Sequence, residues 1–174
     1  MSLQQDIWNN KNLIKILKEN GIAVMPTDTL YGIVGSARSA DTVNRIYDLR
    51  KRAPNKPCII LIGAVSELEK FSIILSGEQK KKIAKYWHSE FSHMRKFTMP
   101  DSPTSIILDC PKEKFAYLHR GAKTLAFRLP APEGLQDLLK KTGPLIAPSA
   151  NLEGLPPAQN ITEAKTYFGN GVDL

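Results

Sequence analysis

Residues 58–62 read CIILI, five apolar side chains in succession. A strand with one face in water alternates apolar and polar residues, whereas a strand covered on both faces need not. The run therefore predicts a strand inside a sheet that has other elements packed on both sides. Helical periodicity flanks it. Leu13, Ile14 and Leu17 form an apolar stripe over residues 11–20, and Gly21 stands where such a helix stops. Ser39 or Asp41 can cap a second helix, in which Val43, Ile46, Tyr47 and Arg50 recur three or four apart and Pro54 marks the end. Short apolar runs at 22–25, 105–108, 125–129 and 145–147 read as further strands. Residues 78–88 and 133–141 read as helices, with Gly143 closing the latter. Thr162 is expected to cap a last helix that carries Ala164, Tyr167 and Phe168 inward. Residues 89–103 have no period and are expected to be irregular. Strands alternating with helices predict an α/β fold with a mixed, largely covered sheet. Without repeats, low-complexity tracts or linkers, residues 1–174 are expected to form one domain.

A chain of 174 residues is long enough to bury a sizeable core. No apolar run approaches the roughly 20 residues that span a bilayer. The start, MSLQQDIWNN, lacks the basic-then-apolar layout of a secretory signal, so a cytoplasmic location is expected. Formal net charge is +7 and the pI about 9.4. A basic surface attracts phosphates, carboxylates or nucleic acid without choosing among them. Part of the excess is Lys80, Lys81 and Lys82, on a helix face expected to be solvated. The rest that matters is Arg50, Lys51, Arg52 and Lys56. The two cysteines, Cys58 and Cys110, sit in apolar segments with no CxxC pairing or nearby His, which reads as buried thiols.

Four short constellations stand at strand or helix ends, where ligands of open α/β sheets bind. PTDTLYG (26–32) places two hydroxyls and a carboxylate just past a strand; a capped turn accounts for them equally well. RKRAPNKP (50–57) carries cations from a helix end into a loop stiffened by two prolines. Helix-dipole stabilisation does not need four cations, and Arg and Lys together suit a phosphate clamp. In TLAFRLP (124–130), Arg128 interrupts an apolar strand. An unpaired buried guanidinium costs several kcal/mol, so it must meet a carboxylate, internal or from a ligand. In PSAN (148–151), Ser149 and Asn151 flank a small Ala150 and can face one ligand. Beyond these there is no GxxxxGK(S/T) loop, no GxGxxG and no HExxH. His88, His93 and His119 are isolated and read as structural or solvent-facing. A basic, hydroxyl-rich cleft for an anionic small molecule, above all a nucleotide, is the reading these residues favour.

Taken together and in order, PTDTLYG, RKRAPNKPCIILI, AFRLP and SANLEGLPP resemble the YrdC family, the threonylcarbamoyl-AMP synthases. That family's pattern runs PT(D/E)TxYG, KxRPxxKP before an apolar strand, VRxP and SANxSGxPP. The resemblance implies a twisted open mixed sheet with flanking helices around a large positively charged cleft. It implies synthesis of threonylcarbamoyl-AMP from L-threonine, bicarbonate and ATP, with release of pyrophosphate. A partner transferase would then carry the threonylcarbamoyl group to an adenosine of tRNA. By the same resemblance, Thr29, Arg128 and Ser149 would hold threonine. Arg50, Arg52, Lys56, Thr124 and Asn151 would meet ATP, which Mg2+ would accompany. No covalent enzyme nucleophile is needed for such a reaction, so positioning and charge neutralisation should dominate.

The chain departs from the pattern in places. Arg50 replaces the first Lys of KxR, Ala53 replaces Pro, and Glu153 stands where SANxSG has Ser, near the expected phosphate path. The family's WPGPLT stretch is replaced after Trp87 by HSEFSHMRKFTMPD. The resemblance also implies a further strand and a segment helping to close the site, which the chain to Leu174 is expected to lack. Two other readings use the same cleft: a non-catalytic RNA-binding paralogue and a carbamoyl-transfer enzyme with a different small substrate. Against RNA, no aromatics interleave along a basic strand as a stacking platform requires.

Overall fold

The computed structural model describes residues 7–87 and 103–174. Helix α1 (Lys11–Lys18) starts at Asn10, whose Oδ1 accepts the amide hydrogens of Asn12 and Leu13 at 2.8 and 3.1 Å. Strands β1 (Ile22–Pro26) and β2 (Tyr31–Ser36) form an antiparallel hairpin that pairs Ile22 with Gly35 and Pro26 with Tyr31. Helix α2 (Ala40–Arg50), capped by Ser39, leads to β3 (Ile59–Leu61). A 3-10 segment (Val65–Phe71) and α3 (Gly77–Ala84) follow. The chain continues through β4 (Ser105–Asp109), α4 (Ala116–His119), β5 (Thr124–Arg128), α5 (Glu133–Thr142), β6 (Leu145–Ile146) and α6 (Ile161–Phe168).

The described strands make one six-stranded mixed sheet in the order β1-β2-β6-β3-β5-β4. Each neighbouring pair is antiparallel except β3 and β5, which run parallel with Leu61 beside Arg128. The CIILI run meets its expectation of cover on both faces. Ile60 and Ile62 enter a core with Val43, Ile46, Phe71 and Phe127. Leu61, one residue out of phase, enters the opposite core with Leu13 and Leu17 of α1 and Leu135, Leu138 and Leu139 of α5. Both cores are thus built on the two-residue period of the strands. Phe71 and Phe127 meet edge to face at 5.1 Å, a favoured aromatic geometry.

The structure differs from the sequence reading at several points. Strand β2 was not expected, because Gly32 and Gly35 interrupt its apolar run. Gly35 is needed there: a Cβ would sit 2.5 Å from Thr42 Cγ2, so its absence lets α2 lie close on the sheet. Helix α3 ends at Ala84, short of residue 88, after a capping box between Ser76 and Gln79. The cap of α6 is Asn160, not Thr162. Asn160 is extended and its Oδ1 accepts the Glu163 amide hydrogen at 3.0 Å, while Thr162 already lies inside the helix. The expected irregular segment 89–103, apart from residue 103, lies outside the described residues, as do His88 and His93. Lys80, Lys81 and Lys82 are solvent-exposed. Cys58 and Cys110 are free and buried. Among the described residues no helix is long and apolar enough to cross a membrane.

Candidate functional site

All four constellations border one cleft of about 410 Å³. Its floor is shared with the α1/α5 core, because Ile59 and Ala147 pack against that core and also line the cleft. The tight β1–β2 connection supplies Thr27 and Thr29. The loop entering β3 supplies Arg52 and Cys58, the end of β5 supplies Arg128, and the residues after β6 supply Ser149. Ser149 is held at the wall by a bridge to Gly32 of β2.

The β1–β2 turn is pinned by Thr27, whose amide and hydroxyl both donate to the Leu30 carbonyl at 3.0 and 2.8 Å. That turn presents Asp28 and Thr29 to Arg128. Arg128 Nη1 donates to Thr29 Oγ1 at 3.3 Å and lies 3.4 Å from Asp28 Oδ1, while Nε donates to Ser105 Oγ at 3.1 Å. The carboxylate that a strand arginine required is therefore internal. The Asp28 side chain is 3% exposed and that of Arg128 14%, so the pair works at reduced dielectric. Asp28 Oδ2 is buried and has no hydrogen-bond partner among the described residues. The sequence reading leaves the Asp28 carboxylate between a ligand site and a capped turn and does not pair it with Arg128. The signal for that pairing was the buried-arginine argument, which demanded an acid without saying which one.

Arg50 lies behind the wall rather than in the cleft. It is 2% exposed; its Nε donates to the Asn151 carbonyl at 3.0 Å. Its Nη2 reaches Asn151 Oδ1 at 3.1 Å and Ser149 Oγ at 3.4 Å. Burial, then the neighbouring Arg52 charge, lower its pKa. Asn151 is buried with it. The Asn151 side chain accepts the Ser149 hydroxyl at 2.6 Å and donates to the Leu152 and Leu155 carbonyls. Arg50 and Asn151 thus fix the orientation of Ser149, the member of this trio that lines the cleft.

The 50–57 loop is braced from inside. Tyr47 donates its hydroxyl to the Lys56 carbonyl at 2.8 Å, and burial, then Cys58, push its pKa up to about 12. Arg52 donates to the Lys56 and Pro57 carbonyls at 3.0 and 3.1 Å and lines the cleft. Lys56 is turned to Glu153: its ammonium contacts one carboxylate oxygen, and the Ala53 amide donates to the other. These two hydrogen bonds hold the Glu153 carboxyl below its ordinary range, the Lys56 bond contributing most. Thr124, at the start of β5, shares a strand face with Arg128 but lies outside the cleft lining, about 13 Å away along the strand. His119 is buried, its Nδ1 accepting the Gly121 amide hydrogen at 3.1 Å, which is a structural role.

The cleft therefore combines two guanidinium groups, Arg52 and Arg128, with four hydroxyl-bearing residues, Thr27, Thr29, Tyr31 and Ser149. Such an arrangement can orient a carboxylate beside a polyphosphate. Among the described residues no group of three or more His, Cys, Asp or Glu is placed to hold a metal ion.

Comparison with known proteins agrees with this architecture. A threonylcarbamoyl-AMP synthase of Bacillus subtilis is 30% identical over 142 residues, covering 81% of this chain and 38% of the relative. One from Hahella chejuensis is 27% identical over 168 residues, covering 95% of this chain and 84% of the relative. The chain thus spans well under half the length of the Bacillus relative and most of the Hahella one. Among solved structures, Pyrococcus abyssi Sua5 complexed with L-threonine superposes with a TM-score of 0.77 at 23% identity, over 99% of this chain and 47% of that one. Escherichia coli YciO superposes with a TM-score of 0.72 at 22% identity, over 98% of this chain and 77% of that one. At these identities the superpositions establish the fold, a mixed open sheet with flanking helices. The Sua5/YciO/YrdC family, described as telomere recombination, matches residues 15–174, and the chain belongs to that family.

Proposed function

We propose that this chain, as one cytoplasmic domain, makes threonylcarbamoyl-AMP from L-threonine, bicarbonate and ATP. The observation that carries the proposal is the convergence of Thr29, Arg128 and Ser149 on one cleft whose rim carries Arg52. Two relatives named threonylcarbamoyl-AMP synthase support it.

In this reading the threonine carboxylate lies against Arg128, with Thr29 and Ser149 offering hydroxyls beside it. The threonine amine takes up bicarbonate, forming the N-carboxylate and releasing water. An oxygen of that carboxylate attacks the α-phosphorus of ATP, the bond to the β-phosphate oxygen breaks, and pyrophosphate leaves. The reaction needs two anions brought together and charge neutralised on the leaving group, which is the work of Arg52 and Lys56. Arg50 and Asn151 act on the reaction by positioning Ser149. Mg2+ enters as MgATP, held by phosphate oxygens and water rather than by a protein cage. The product is a reactive mixed anhydride that a partner transferase would deliver to an adenosine of tRNA.

The test is pyrophosphate release from ATP and Mg2+ in bicarbonate, with and without L-threonine. Threonine-dependent release is the expected result. Equal release without threonine would be attack of water or bicarbonate on ATP and would overturn the threonine reading. No release together with salt-sensitive RNA binding would make the chain a non-catalytic binder.

A further inference from the structure

The cations of the 50–57 loop are committed unequally. Arg50 is buried against Asn151, and Arg52 spends two hydrogen-bond donors on backbone carbonyls. Among the described residues, Lys56 is the one of these three paired with an acid, Glu153, and its side chain is 59% exposed against 23% for that of Glu153. The two Glu153 oxygens take one ammonium and one backbone N–H. Those are the donors that a pair of phosphoryl oxygens would take from the same loop. Glu153 is brought there by its own backbone, since its amide donates to the Arg50 carbonyl at 2.8 Å and Arg50 in turn holds Asn151. The acid is therefore held in the loop by backbone as well as by charge.

We propose that Glu153 is an internal anion that competes with ligand phosphate for Lys56 and the Ala53 amide, weakening polyphosphate binding until it is displaced. This rests on the nucleotide reading of the cleft and deepens it. Arg52 lines the cleft and the amide of the next residue, Ala53, holds Glu153, so a polyphosphate leaving the cleft past Arg52 meets the Lys56–Glu153 pair. Displacement is inexpensive because Lys56 is largely solvated and exposed ion pairs are weak. Neutralising Glu153 should therefore raise affinity modestly, by about two- to fivefold. Gln keeps an oxygen for the Ala53 amide, removes the charge and turns an NH2 donor toward Lys56, so it frees the ammonium for a ligand oxygen.

The experiment is isothermal titration of ATP and, separately, of inorganic pyrophosphate into the full chain at fixed ionic strength. Glu153→Gln and Glu153→Ser are compared with wild type, each checked by thermal melting so that either suffices if the other does not fold. Glu78→Gln is the control for net charge, because Glu78 pairs with Lys82 on an exposed helix face. The expected result is both probes bound about two- to fivefold more tightly by the Glu153 variants, no change in Glu78→Gln, and no gain once Lys56→Ala is added. Pyrophosphate tightening without any ATP binding would sustain the role of Glu153 and remove the nucleotide reading. ATP bound equally by wild type and variants, or a gain matched by Glu78→Gln, would overturn the role of Glu153 and leave that reading intact. If neither probe bound any variant, both would fall.

Discussion

Arg128 Nη1 lies 3.4 Å from Asp28 Oδ1, joining the end of β5 to the β1–β2 turn across 100 residues of sequence. The pair lets a guanidinium sit in an otherwise apolar strand and aims it at the cleft. Arg128→Ala strands a buried carboxylate, and breaking such a pair costs about 3–5 kcal/mol. Adding Asp28→Asn should return part of that stability, read by denaturant unfolding of the two variants. Calorimetry on Arg128→Ala should show threonine binding lost and ATP binding kept. If ATP binding fell instead and threonine binding survived, the role given to Arg128 would be wrong.

Arg50 predicts a different pattern. Its contacts to Asn151 and Ser149 are charge-assisted and buried, so Arg50→Ala should cost about 2–3 kcal/mol. Lys should not restore it in full, because it lacks the planar fork by which Arg50 serves the Asn151 carbonyl, the Asn151 side-chain oxygen and Ser149 Oγ together. Equal unfolding midpoints for wild type and Arg50→Lys would refute the bracing role.

The Glu153 carboxyl sets a pH dependence of known sign. Its pKa in the folded chain is lowered by the Lys56 and Ala53 hydrogen bonds, so its contribution to stability is fully present above the ordinary carboxylate value. It is lost as pH falls through the lower, folded value. The stability difference between wild type and Glu153→Gln should therefore be flat at neutral pH and shrink only in the acid range. A difference that grew on acidification would contradict the Lys56 pairing.

Gly63, just after β3, lies against the backbone of α5. An added Cβ would come within 2.8 Å of both the Gln136 carbonyl oxygen and the Lys140 nitrogen. Backbone atoms inside a helix cannot step aside as a side chain does, so Gly63→Ala should destabilise by about 1–3 kcal/mol. The same substitution at Gly77, which has nothing within 4 Å, should be tolerated, and paired melting curves measure the contrast.

The apolar runs and helical stripes carried the α/β class, the covered strand at 58–62 and the places of the four constellations, because periodicity and burial are local properties of a chain. The same reasoning required an acid for Arg128 and found a basic loop at 50–57. It did not find β2, where Gly35 answers to the close approach of α2 and Gly32 to that of Thr27 and Pro148, contacts that only the packed sheet creates. Nor could it tell that Arg50 turns inward while Arg52 faces the cleft, or that Asp28 meets Arg128 and Glu153 meets Lys56. Side chains two residues apart leave a helix end in different directions, and long-range pairs form only where strand order brings their loops together. Residue types set what chemistry was available; the sheet order β1-β2-β6-β3-β5-β4 decided which residues share it.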